Sequence, residues 1–207
     1  LAMENDVHAF SEKIKWLITK PVNVITTAEE FVYLKARYKD LADEIDDLAK
    51  KYSVTVLGTG VNPGMMMDLI VLFLTGMMQD IDKMTVKRVS SLSPFGKDYL
   101  DKRGIGLTED EFKEQIQSNE SAYPIGLKES TEMIADGLGI SVDQYAYELR
   151  PIVSDVDRQS KFIEISEGLV AGIHQSSTAI CDDGHLTIQL YLNQQLEPEE
   201  IGVLTGD

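Results

Sequence analysis

Cysteine is nearly absent: Cys181 is the only one in 207 residues. A single thiol excludes an internal disulfide framework and a cysteine-based zinc cage, and it points to a reducing, cytoplasmic compartment. Positive charge is scarce too, with 19 Lys and Arg against 35 Asp and Glu, a formal net charge of -16 and a pI near 4.5. Phosphates and acidic headgroups are repelled by such a surface, so neither nucleic acid nor an anionic membrane is an expected partner, whereas a small cationic ligand is compatible. Long apolar runs are missing. The greasiest, "MMMDLIVLFLTGMM" at residues 65–78, is shorter than the roughly 20 residues of a membrane span; it contains Asp68 and reads as a buried helix. The three histidines, His8, His174 and His185, are far apart and lack the H-E-x-x-H spacing, so no catalytic metal is expected, and His8 and His185 read as peripheral. The opening "LAMENDVHAF" has no initiator methionine and no basic, apolar and cleavage layout of a secretory signal. The chain is therefore expected to be part of a longer protein.

What is present alternates between helical and strand periods. Ile14, Leu17 and Ile18 recur at helical spacing up to Pro21, "VNVITT" reads as a strand, and "AEEFVYLKARYKDLADEIDDLAKKY" reads as one long helix. Its stripe is Phe31, Leu34, Tyr38, Leu41, Ile45 and Leu48. "VTVLG" is the next strand, and strands alternating with helices indicate a parallel sheet. After a helix at 63–78 the pattern changes. "KMTVKRVSSLS" is a strand with mixed faces, "LTEDEFKEQI" a helix with Thr108 and Glu111 at capping-box spacing, and "LKESTEMIADGLG" a helix closed by Gly139. From Gln144 onward the sequence is rich in strands. Leu186, Ile188, Leu190 and Leu192 alternate with polar residues, and Asp183-Gly184 marks a turn, the pattern of an antiparallel sheet with one apolar face. The expected fold is α/β: residues 1–58 form the trailing part of a Rossmann-type parallel sheet, and residues 59–207 an α+β domain with a mostly antiparallel sheet.

At this boundary stands "VTVLGTGVNPGMMMDLIVL". Gly58, Gly60 and Gly64 miss the G-x-G-x-x-G spacing by one residue, and Asp80 and Asp82 precede the next strand where a ribose-binding acid would have to end it. No Gly-Lys-Ser/Thr follows, which excludes a Walker loop. Asn62 followed by Pro63 reads as an N-cap and a first-turn proline, a helix start that lines a site between domains; a plain turn is the alternative.

"NVITTAEEF", "LAKKYSVTVLGTGVNPGMMMD", "GLTEDEF", "IGLKESTEMIADGLG" and "ELRPIVS" together resemble 2,4-diaminopentanoate dehydrogenase and the related native amine dehydrogenases, a group of dihydrodipicolinate-reductase-like oxidoreductases. The resemblance extends in order over residues 20 to about 155. It implies an NAD or NADP cofactor, a small cationic amine substrate, a homodimer, and oxidative deamination of an amine such as 2,4-diaminopentanoate in ornithine breakdown. It also implies a first strand and glycine fingerprint upstream of Leu1. The paired histidines, lysine and Ser-Gly-Thr segment of dihydrodipicolinate reductases are absent, and Pro124 stands where similar enzymes carry a histidine, which points to a different substrate pocket. An imine or carbonyl reductase of the same fold, or a non-catalytic binding subunit, are the other readings.

Ligands of open α/β sheets sit beyond the carboxyl ends of the strands, which draws attention to "TTAEE". Glu29, or its neighbour Glu30, is the expected catalytic carboxylate, accepting protons and stabilising an iminium cation; two acids in a first helical turn also suit its dipole without any catalysis. Thr26, Thr27 and Asn62 are candidate cofactor contacts. Met65 and Met66 are candidate walls of an apolar pocket, Arg88 a candidate clamp for a substrate carboxylate, and His174 a candidate that faces the site from the sheet.

Overall fold

A computed structural model describes residues 7–118 and 126–196. Their packing divides the chain into two compact units, the first comprising Leu1–Met84, Ile125–Gln144 and Ala179–Ile188, and the second Thr85–Pro124, Tyr145–Thr178 and Gln189–Asp207. The helix Val7–Ile18 (α1) opens the first unit and buries Phe10, Ile14 and Ile18. Strands Val24–Thr26 (β1) and Val56–Gly58 (β2) pair in parallel, with Thr26 opposite Gly58. Helix Lys39–Tyr52 (α2) places Ile45 and Ala49 in the same core as α1 and Val24. Phe10 meets Phe31 edge to face at 5.1 Å, a geometry that aligns the ring edge of one with the electron-rich face of the other.

The long helix expected from Ala28 to Tyr52 is interrupted. Residues Glu29–Val32 and Leu34–Ala36 form two 3₁₀ turns, and the α-helix starts only at Lys39. Tyr33 (φ -146°, ψ 65°) and Tyr38 (φ -131°, ψ 60°) stand outside the helical region at the breaks. The run Phe31-Val32-Tyr33 is a weak helix former, and the backbone of Gly58 presses against it. A β-carbon at Gly58 would lie 1.9 Å from the Phe31 carbonyl oxygen. Because 3₁₀ turns also bring residues three apart together, Phe31 and Leu34 still reach the core, so the apolar stripe survives although the helix does not.

The helix expected over residues 63–78 is shorter and differently placed. Gly64 has φ +122°, a conformation closed to other residues, so no helix starts at Pro63. Asn62 is therefore not its N-cap. The helix is Leu69–Thr75 (α3), capped by Asp68, whose side chain accepts from the Leu69 N–H. It is not a buried helix either: none of its residues is buried, and Phe73 is 77% exposed. Among the described residues no helix is long and apolar enough to cross a membrane.

Helices Lys97–Lys102 (α4), Glu109–Ser118 (α5) and Leu127–Gly137 (α6) follow the strand Lys83–Ser91 (β3). The Thr108 hydroxyl accepts from the Glu111 N–H while Glu111 accepts from the Thr108 N–H, the reciprocal cap foreseen from the sequence. Gly139, at φ +74°, stands just beyond α6. Strands Val142–Val153 (β4), Arg158–Gln159 (β5), Glu164–Ile165 (β6), Val170–Cys181 (β7) and Leu186–Gln195 (β8) complete the fold. The larger sheet has the order β3-β8-β7-β4. Its flanking hydrogen bonds join Asp82 to Thr187 and Leu92 to Gln195, so β3 and β8 are parallel; Ser141 to Asp182 and Ser154 to Leu169 make β4 and β7 antiparallel, as the turn Asp182–Gly184 makes β7 and β8. The result is mixed and mostly antiparallel. Leu186, Ile188, Leu190 and Leu192 are all buried, as their alternation required. Cys181 is also buried, which pushes its thiol above the usual range and keeps it unreactive.

In the second unit the core gathers Leu92, Leu100, Ile105, Phe112, Val170 and Ile173. Arg158 is buried there with its charge answered by the Ser154 hydroxyl at 2.6 Å and the Leu196 carbonyl at 2.7 Å.

Because Gly58 meets backbone and not a flexible side chain, Gly58→Ala should lower the unfolding free energy by about 2–3 kcal/mol. Urea denaturation of the intact protein checks this, and a loss below about 0.5 kcal/mol would contradict the close approach.

Candidate functional site

The carboxyl ends of β1 and β2 lie side by side, and two segments leave from them: the turn bearing Glu29 and Glu30, and the loop "GTGVNPG" bearing Asn62. They are tied at once. The Thr59 N–H donates to the Thr26 carbonyl at 2.9 Å, and the Thr26 hydroxyl, fully buried, accepts from the Ala28 N–H at 3.1 Å. Thr26 thus sets the course of both segments. Thr27 is exposed beside it, and Glu29 and Glu30 are half-buried in the first 3₁₀ turn.

The loop folds back on itself, and its glycines explain how. A β-carbon at Gly64 would stand 2.4 Å from the Gly60 nitrogen, and one at Gly60 would stand 2.8 Å from the Pro63 carbonyl oxygen. The three glycines therefore serve close backbone approach. Within this loop the Asn62 Oδ1 is buried and has no hydrogen-bond partner among the described residues. Such an acceptor costs about 1–3 kcal/mol unless a donor reaches it.

Asp68 closes the loop from below. Its carboxylate, fully buried, accepts from the Gly64 N–H at 2.7 Å, the Leu69 N–H at 2.6 Å and the Ser130 hydroxyl at 2.8 Å. Ser130 stands in the first turns of α6, next to Glu129, which is 1% exposed. Glu129 in turn accepts from the Gly126 N–H at 2.7 Å and is paired with Arg37 Nε, at the end of the second 3₁₀ turn. Gly137 allows α6 to pack against Leu72 of α3, since a β-carbon there would lie 2.7 Å from a Leu72 methyl. One buried network thus joins the Asn62 loop, the start of α6 and the segment that follows Glu29.

Sequence reading noticed Asp68 only as an interruption of an apolar run and missed Arg37, Glu129 and Ser130. The signal was available: Asp68 is the lone charge between Val61 and Gln79, and a lone charge in such a run is buried only if it is hydrogen-bonded. Of the other candidates, Met65 and Met66 are on the loop and 50% and 41% exposed. Arg88 and His174 belong to the second unit. There His174 Nδ1 is in a short hydrogen bond with Asn193 Oδ1, beside Tyr191, and Arg88 is half-buried on β3. Pro124 lies outside the described residues. Among the described residues no group of three His, Cys, Asp or Glu is placed to hold a metal.

Residues 65–207 match the 2,4-diaminopentanoate dehydrogenase C-terminal domain. The chain belongs to that family. A curated relative, the 2,4-diaminopentanoate dehydrogenase of Acetoanaerobium sticklandii, is 43% identical over 197 residues, which is 95% of this chain and 56% of the relative. The chain thus spans little more than half the length of that relative. The solved structure of an amine dehydrogenase from Mycobacterium smegmatis shares the fold, with a TM-score of 0.79 at 21% identity, over 93% of this chain and 56% of that one.

Asp68→Ala leaves two N–H groups and one hydroxyl without their acceptor and should cost about 3 kcal/mol or more, while Ser130→Ala should cost about 1 kcal/mol. In a double-mutant cycle read by urea denaturation the two should couple by at least about 0.5 kcal/mol; additive losses would contradict a direct Asp68–Ser130 bond.

Proposed function

We propose that the protein to which this chain belongs is an NAD(P)-dependent oxidoreductase that oxidatively deaminates an amine, with 2,4-diaminopentanoate as the first substrate to test. The observation that carries this reading is the convergence of a half-buried carboxylate turn and the unsatisfied Asn62 amide oxygen at the carboxyl ends of two parallel strands, in a chain of this family. In this reading residues 1–58 are the trailing part of a nucleotide-binding domain, residues 59–207 cover the substrate, and the protein works as a cytoplasmic homodimer.

The residues present fit a nicotinamide cofactor. Asn62 Oδ1 has no donor among the described residues, and a carboxamide N–H is a donor of the kind it needs once the side chain turns toward it; Thr27 lies at the end of β1 to complete the contact. When bound, NAD(P)⁺ supplies the acceptor for the hydride that leaves the carbon bearing the amine. The chain's own part is proton traffic and charge. Glu29 takes a proton from the substrate ammonium, so that the neutral amine can push electrons toward the departing hydride. Once that proton has passed to solvent, its carboxylate stabilises the iminium cation and accepts a proton from the water that attacks it, a proton it can return to the departing amine. Glu30, next in the same turn, supports the negative field. Met65 and Met66 offer an apolar wall that lowers the local dielectric and strengthens this interaction.

Glu29→Gln should lower turnover of 2,4-diaminopentanoate by about 10²–10⁴-fold while changing the NAD(P)⁺ dissociation constant less than about threefold, measured by initial rates and by cofactor fluorescence titration. Unchanged turnover in Glu29→Gln with a large loss in Glu30→Gln would move the role to the neighbour; unchanged turnover in both would remove it from this turn.

A further inference from the structure

A second place in the first unit has charge left unanswered. Between the second 3₁₀ turn and the later half of α6 lies a cleft of about 320 Å³, lined by Tyr33, Lys35, Glu132, Asp136, Ile140 and Val142 among others. None of Thr27, Glu29 or Asn62 lines it. Its size is at the lower end of small-molecule sites.

The cleft's charges do not cancel locally. Lys35 is held by Asp136 at 2.7 Å, and Lys39, at the rim, by Asp43 at 2.6 Å. Glu132 is half-buried and makes no hydrogen bond or ion pair among the described residues; burial pushes its carboxyl above the usual range, against the pull of Lys128 and Lys35. The Tyr33 hydroxyl is buried beside Asp136 and Lys35 without an aligned hydrogen bond to either, and burial pushes it up to about 12. At neutral pH it is therefore an uncharged phenol, able to donate or accept. What remains unanswered is one negative charge, set among the aliphatic side chains of Ile140 and Val142.

We propose that this cleft binds a small aliphatic ammonium ion, with Glu132 as its counter-ion and Ile140 and Val142 against its alkyl part. A carboxylate drawn partly out of water without a partner is costly, and a cation of the right size removes that cost. An anion is disfavoured because the two lysines that line the cleft, Lys35 and Lys39, are already paired. A metal is disfavoured because the second lining carboxylate, Asp136, is held by Lys35, which leaves Glu132 without the several anionic ligands an inorganic cation requires. The formal charge of -16 raises the local concentration of any cation at this surface. The site does not depend on the reaction proposed above, although it would hold ligands of the same chemical class as that reaction's substrate.

The test uses intact protein carrying ¹³C-methyl isoleucine, titrated with n-butylammonium chloride while the Ile140 δ1 methyl resonance is followed. A saturable shift with a dissociation constant of about 1 mM is expected, with n-butanol giving none. Glu132→Gln should weaken binding at least about tenfold, which is the loss of one partly desolvated ion pair. Asp136→Asn, at an exposed position that tolerates the change, should weaken it too, because Lys35 is then released to neutralise Glu132. No shift in the wild type, or binding as tight as the wild type's in both variants, would overturn the proposal.

Discussion

The buried carboxylate of Asp68 is the constraint on which the rest of the candidate site depends. A charge removed from water must be met by donors or the chain does not fold around it, and here it is met by three, from the loop behind it, from its own helix start and from Ser130 of α6. The consequence reaches further than a helix cap. By holding the Gly64 N–H, Asp68 fixes the fold-back of a loop whose glycines already allow no other residue at their close approaches. Through Ser130 and its neighbour Glu129, the same network extends to Arg37 and so to the segment that carries Glu29.

Charge and apolar surface are distributed unevenly around this anchor. Many acidic residues lie on exposed helix faces, some in i,i+4 pairs such as Lys39–Asp43 and Lys50–Asp46, which contribute little to stability. The stretch from Val61 to Met78 exposes large apolar side chains and keeps its single acid inside. A polyanionic chain thus reserves an uncharged surface next to the strand ends, where a low dielectric would make a carboxylate such as Glu29 most effective toward a cation.

Much of this was legible in the residues. The alternation of Leu186, Ile188, Leu190 and Leu192 required a strand with one buried face, and the reciprocal cap of Thr108 and Glu111 was written at its fixed spacing. The order of strands and helices around "VTVLG" gave the parallel pair, and the quoted motifs gave the family. Two readings failed for a shared reason: local patterns were overruled by distant backbone. Phe31 and Leu34 satisfy a helical stripe, yet the approach of Gly58 holds their segment in 3₁₀ turns. Asn62-Pro63 has the chemistry of a helix start, yet Gly64 at φ +122° postpones the helix to Leu69. The pairings of Asp68 with Ser130 and of Arg37 with Glu129 join positions 62 and 92 residues apart in sequence, and no local spacing announces them.

The central claim, that a buried Asp68 clamps the glycine loop, is tested most directly by hydrogen exchange at the Gly64 amide in the intact protein. The clamp predicts slowing by at least about 10³-fold relative to an open chain, the protection expected when exchange requires an opening that costs about 4 kcal/mol, with that protection lost in Asp68→Ala. A Gly64 amide that exchanges as fast as a free loop in the wild type would contradict it.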